Sequence, residues 1–136
     1  MKVLAMSYVF VGAGGAFGAM ARYALHLTLQ RHAIFPWGTL TANLVGCLVM
    51  GALAQMVVSS TWFNSSGLIP EQHRLLFVVG FCGSFTTLSA MMLELHTMLQ
   101  RNELLAPLTY LVVSIAGGFA CFYAGFTLLR MLRGYA

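Results

Sequence analysis

The stretch Gly80-Phe81-Cys82-Gly83-Ser84-Phe85-Thr86-Thr87-Leu88-Ser89 decides the fold. It lies inside an apolar run that reads as a helix over roughly 74–99, yet two of its ten positions are glycine and four carry a hydroxyl. Glycine is a poor helix former, and Ser and Thr compete for backbone hydrogen bonds, so an uninterrupted helix is disfavoured there. Backbone that leaves the helix at membrane depth is tolerated only where protein buries it or where it lines a cavity. The spacing therefore predicts a helix broken near its middle, with Gly83 to Thr86 as the stretch whose loosened carbonyls can face a small cation.

That this run meets lipid follows from the rest of the chain. Of 136 residues, 60% are hydrophobic and 7% charged, with one Lys, six Arg, three Glu, no Asp and a mean hydropathy of +0.84. Soluble domains carry about 25% charged residues, and a small core cannot hide this much hydrocarbon from water. A bilayer core takes roughly 20 helical residues, so four spans and three short loops fit the length. We place them at about 3–27, 38–58, 74–99 and 104–129, in a single all-α membrane domain covering 1–136. The first run ends in Met20-Ala21-Arg22-Tyr23, not in a small-x-small cleavage site, and reads as a helix, not a leader.

Within span one, Gly14 and Gly18 make a small-xxx-small pair suited to close helix contact. Trp37 and Trp62 fall near predicted interfaces, and Arg101-Asn102-Glu103 makes a short turn. The formal net charge of +4 is spread without a basic face or run, which gives no support to a nucleic-acid partner. Four spans put Lys2, Arg74, Arg130 and Arg133 on one side and Arg22, Arg31 and Arg101 on the other. A bias this weak permits insertion both ways and hence an antiparallel, dual-topology homodimer.

Polar groups inside spans need partners or a pathway. Asn43 can donate to an anion or bridge two helices; Tyr110 and Ser114, four apart, share a helical face with Gly117 and Gly118. Ser84, Thr86, Thr87 and Ser89 can equally bond their own helix. Glu94 is the carboxylate inside a predicted span, beyond the break, and fits a proton-carrying acid or an end-of-helix group equally. Arg22 reads as an interface anchor or as a fixed charge drawing anions inward. Cys47, Cys82 and Cys121 lack metal or disulfide spacing and read as small buried apolar residues; His26, His32, His73 and His96 sit near span ends. Without a nucleophile and base, metal motif or phosphate loop, an enzyme is not indicated.

Taken in order, Gly14-Gly15 to Arg22-Tyr23, then Gly38-Thr39-Leu40 with Asn43 and Gly46, then Gly80 to Thr87 and Glu94, resemble the Fluc (CrcB) fluoride channels over nearly the whole chain. The resemblance implies passive, selective fluoride conduction out of a bacterial cytoplasm, across the inner membrane. It also implies two pores in an antiparallel homodimer and a central structural sodium ion (Na+) held by the backbone carbonyls of Gly83 and Thr86 from both subunits. Asn43, Arg22, Tyr110 and Ser114 map to the family's pore asparagine, its motif arginine and its hydroxyl track. Where the family has Thr-Thr-Phe-Ser-Thr-Phe, this chain has Thr86-Thr87-Leu88-Ser89-Ala90-Met91. Both pore phenylalanines are replaced, so Leu88 and Met91 are expected to line an apolar constriction, with Phe85 one turn earlier as a partial substitute and more weight on Asn43, Ser89 and the hydroxyl track. The competing reading is a small four-span proton-coupled exporter working through Glu94; a structural subunit, or pairing with a second, different chain, are further alternatives.

Overall fold

Apolar length dictates the architecture. Among the described residues, four stretches are long and apolar enough to cross a bilayer: Leu4–Leu29, Trp37–Val57, Glu71–Gln100 and Leu105–Leu132. The computed structural model describes residues 2–30, 35–59, 68–102 and 104–134, so Arg31, His32, Trp62 and Glu103 lie outside the described residues. The chain runs as α1 (Lys2–Leu29), α2 (Trp37–Ser59), α3 (Leu68–His73), a π-helical segment (Arg74–Cys82), α4 (Gly83–Phe85), α5 (Leu88–Gln100) and α6 (Leu105–Gly134). Asn102, at φ 58°, turns the chain after α5, a left-handed conformation that asparagine accepts readily.

Large apolar side chains point outward all around the bundle, among them Tyr8, Phe17, Leu93, Phe119 and the 82% exposed Leu105. In water this surface would be ruinous; in lipid it costs nothing, and helices associate by close packing instead. Glycine supplies the closeness. Added side-chain carbons on Gly14 and Gly18 would strike the backbone of Leu76 and Phe81, so α1 lies directly against the π segment. From the other side, a Cβ on Gly80 would lie 2.7 Å from the Val11 carbonyl oxygen. Helices α2 and α6 meet in the same way, Gly51 against the Phe122 carbonyl and Gly125 against the Leu48 carbonyl.

The third crossing changes course between α4 and α5. Thr86 (φ −86°, ψ 152°) and Thr87 (φ −152°, ψ 124°) are extended. Gly80 and Gly83 are not: Gly80 lies in the π segment and Gly83 has helical dihedrals of −62° and −30°. The residues that leave the helix are thus the β-branched threonines, which favour extended backbone, while the glycines provide contact. Thr87 then restarts the helix as N-cap, its hydroxyl accepting from the Ala90 N–H at 3.2 Å.

Candidate functional site

Two extended residues leave peptide groups to be satisfied, and the question is where their hydrogen bonds go. Asn43, the seventh residue of α2, takes both groups of Thr87. Its Oδ1 accepts from the Thr87 N–H at 2.8 Å, and its Nδ2 donates to the Thr87 carbonyl at 3.2 Å. Arg22 reaches from α1 and donates from Nε to the Ser84 carbonyl at 3.2 Å. Asn43 therefore does bridge two elements, and Arg22 caps a carbonyl at the edge of the interruption, a role neither of its sequence readings contained.

These diversions leave two oxygens behind. In a continuous helix the Thr87 N–H would go to Gly83 and the Ala90 N–H to Thr86. Here the first goes to Asn43 and the second to the Thr87 hydroxyl. The carbonyls of Gly83 and Thr86 thereby lose their helical donors, and Gly83 is exposed on the face of the bundle. Hard backbone oxygens of this kind suit a small cation such as sodium. Two from one chain make only part of a coordination shell.

Around this interruption lies a cavity of about 480 Å³, lined by Asn43, Gly83, Thr86, Leu88, Met91 and Ser114 among others. Ser114 is buried, and its hydroxyl has no hydrogen-bond partner among the described residues, so it is not bonded back to its own helix. A buried hydroxyl left unpaired is costly, and a water or an ion in the cavity would relieve that cost. Leu88 is 67% exposed whereas Met91, also on the cavity wall, is 4% exposed, so the two replacement residues occupy unlike environments. Ser89 is exposed, its hydroxyl 3.2 Å from that of Thr87. Phe85 lines neither this cavity nor the next: it is buried, stacked on Phe81 with centroids 5.4 Å apart, and packs against Gly46.

A second cavity, of about 710 Å³, is lined by Arg22, His26, Thr39, Glu94, Met98 and Arg101 among others. Glu94 accepts from the Thr39 hydroxyl at 2.6 Å and from the Tyr110 hydroxyl at 2.7 Å. Tyr110 is fully buried, with Phe35 edge-on at 5.5 Å. The carboxylate is thus held from two other elements, α2 and α6, which an end-of-helix role does not require. Met98 lines this cavity and Met91 the other; both belong to one apolar cluster with Leu40 and Tyr110. That cluster stands between the two cavities. Thr39 was legible only as a polar residue, although it lies four before Asn43 on the same face of α2. Its partner Glu94 is 55 residues away.

Comparison with known proteins adds the kinship. The family model described as "CrcB-like protein, Camphor Resistance (CrcB)" matches residues 9–126. A protein of Chlorobium phaeobacteroides (strain BS1) is 41% identical over 124 residues, 90% of this chain and 92% of that one. One of Rhizobium etli is 39% identical over 127 residues, 91% and 96% of the two chains. Another, of Chlorobaculum tepidum, is 38% identical over 125 residues, 91% and 94%. All three are named fluoride-specific ion channel FluC, the name of a channel and not of an enzyme. With its model matched across four crossings and relatives of this identity along nearly its full length, the chain belongs to the CrcB family.

Proposed function

We propose that this protein is a passive, fluoride-selective channel that lowers fluoride in the bacterial cytoplasm from the inner membrane, with two pores in an antiparallel homodimer. The observation that carries the reading is the unpartnered, buried Ser114 hydroxyl facing the cavity at the Thr86–Thr87 interruption, together with Asn43 on the same wall. Family membership and the channel names of the relatives support ion passage. Fluoride is compact and strongly hydrated; moving such an ion into a medium of low dielectric costs on the order of 20 kcal/mol by the idealised Born estimate. Side-chain donors must replace its water. Ser114 and the second N–H of the Asn43 amide supply such donors at the cavity beside the interruption, with Ser89 close by, whereas the Thr39 and Tyr110 hydroxyls are turned to Glu94. Arg22, His26 and Arg101 add cationic or ionisable groups to the wider cavity. Leu88 and Met91 contribute an apolar wall.

Acid carries fluoride into cells as neutral HF, which ionises inside. An inside-negative potential then drives the anion out with about 2.3 kcal/mol per 100 mV, so a pore without energy coupling suffices. A resident sodium ion fits the residues present: Gly83 and Thr86 would offer two carbonyls per chain, a second inverted copy would offer two more, and the ion would tie the copies together. The exposed Gly83 and Leu88 and the weak charge bias of the termini and loops support such a partner.

The test is a fluoride electrode on potassium-loaded liposomes holding the purified protein. Valinomycin alone should release fluoride, with no pH gradient imposed. A specific feature favours the exporter as second reading, namely Glu94 held in a cavity with His26. Flux that needs a pH gradient and vanishes in Glu94→Gln would replace the channel with that exporter.

A further inference from the structure

Asn43 spends its amide on a peptide group. Its oxygen and nitrogen both engage Thr87, at 2.8 and 3.2 Å, across 44 residues of sequence. Those bonds hold Thr87 extended and take the N–H that Gly83 would otherwise receive. We propose that Asn43 is a positioning residue for the cation site: it keeps the Gly83 and Thr86 carbonyls out of the helix, so cation affinity depends on this side chain as well as anion passage. The inference rests on the sodium reading above and extends it to a residue that touches no cation.

The chemistry is that of an outer partner setting a ligand. A carbonyl available to a cation must stay away from backbone N–H donors, and the competing state is close by. Were α4 and α5 to join, the Thr87 N–H would bond Gly83 and the Ala90 N–H would bond Thr86, removing both oxygens at once. Asn43 blocks the first of these bonds directly. Thr87, held extended, blocks the second by offering its own hydroxyl to Ala90 at 3.2 Å. Arg22, donating to Ser84, secures the carbonyl between them and leaves those two alone. Removing outer partners of metal ligands typically lowers metal affinity about 10- to 100-fold. Asn43→Leu keeps the size but offers no hydrogen bond, and Asn43→Asp keeps the acceptor for the Thr87 N–H while losing the donor.

The experiment is thermal unfolding of the purified full chain in detergent, titrated with sodium chloride against choline chloride. Hydrogen exchange of the peptide spanning Gly83 to Ala90 is followed in parallel. Wild type should gain stability with sodium to a plateau. Asn43→Leu should move the sodium midpoint at least about tenfold higher and keep or slow exchange in that peptide, as the Thr87 and Ala90 N–H groups turn to the Gly83 and Thr86 carbonyls; Asn43→Asp should fall between. Ser114→Ala, on the same cavity but off the interruption, should keep the wild-type midpoint. A residue of merely structural importance would lower the melting temperature equally with and without sodium and leave the midpoint in place. An Asn43→Leu midpoint equal to wild type overturns the inference while the sodium reading stands. If wild type ignores sodium altogether, the sodium reading falls and takes the inference with it. If Asn43→Leu does not fold, Asn43→Asp decides by the same midpoint.

Discussion

One helix, α2, makes two unlike contacts. Toward its C-terminal half it meets α6 through Gly51 and Gly125, backbone against backbone. Toward its N-terminal half it meets the third crossing through Asn43 and Thr39, each reaching a polar partner. The first contact is made of shape: no room exists for a single added carbon. The second is made of hydrogen bonds around two cavities, with the Ser114 hydroxyl unpaired among the described residues. In a membrane both devices hold helices together, but only the second leaves polar groups at depth, and those groups are the expensive ones. The difference separates what builds the bundle from what the bundle was built to hold.

The largest effect should come from filling the first contact. Gly125→Val would push a branched side chain into the Leu48 carbonyl, with the Ala52 nitrogen only 3.1 Å from its Cβ, so neither helix can yield without separating. Over-packing of this kind costs roughly 1–3 kcal/mol or more, and here it falls on backbone. We expect no monodisperse species on size exclusion. Gly12→Ala is the control: nothing lies within 4 Å of its Cβ, and it should fold at least as well as wild type.

The same division explains what the sequence made legible. Four crossings followed from hydropathy and length because lipid admits only helices and closed barrels, and apolar runs of this length fit helices. Gly14 and Gly18 were readable as contacts because small-xxx-small spacing has one geometric use. The second contact was readable only in part. Two glycines and four hydroxyl residues within ten positions singled out a stretch that contains the extended Thr86 and Thr87, yet these lie downstream of the glycines. Local propensity cannot see Asn43, 44 residues back, which satisfies Thr87 and so decides where the helix stops. Glu94 looked solitary because Thr39 and Tyr110 come from other crossings. Phe85 looked available for a pathway because spacing gives a turn and not an orientation; the structure stacks it on Phe81 instead.

A middle-sized effect distinguishes the two positions where phenylalanine is replaced. Met91 is buried with Leu40, Met98 and Tyr110 in the cluster between the cavities, whereas Leu88 is mostly exposed. Met91→Phe must enlarge a side chain that is already enclosed and should cost roughly 1–3 kcal/mol. Leu88→Phe should unfold at the wild-type temperature, because its ring can extend outward. Thermal melts of the two single variants check this, and equal losses would mean that the cluster is looser than its burial indicates. If both positions line the path, fluoride throughput in the double variant should be kept or raised, since ring edges carry partial positive charge.

Ser114→Ala should have the smallest effect on stability and is for that reason the sharpest probe of the second contact. A serine bonded to its own helix would lose that bond on truncation, at about 0.5–1.5 kcal/mol. Ser114 makes no such bond, so deleting its hydroxyl removes an uncompensated polar atom from a buried place. The melting temperature should stay level or rise. Fluoride efflux from liposomes should nevertheless slow several-fold, because the cavity beside Thr86 and Thr87 would then lose one of its donors. A variant both as stable and as fast as wild type would strip Ser114 of a part in conduction. One that is destabilised would show that its hydroxyl had been spent on the fold, like the glycines of the other contact.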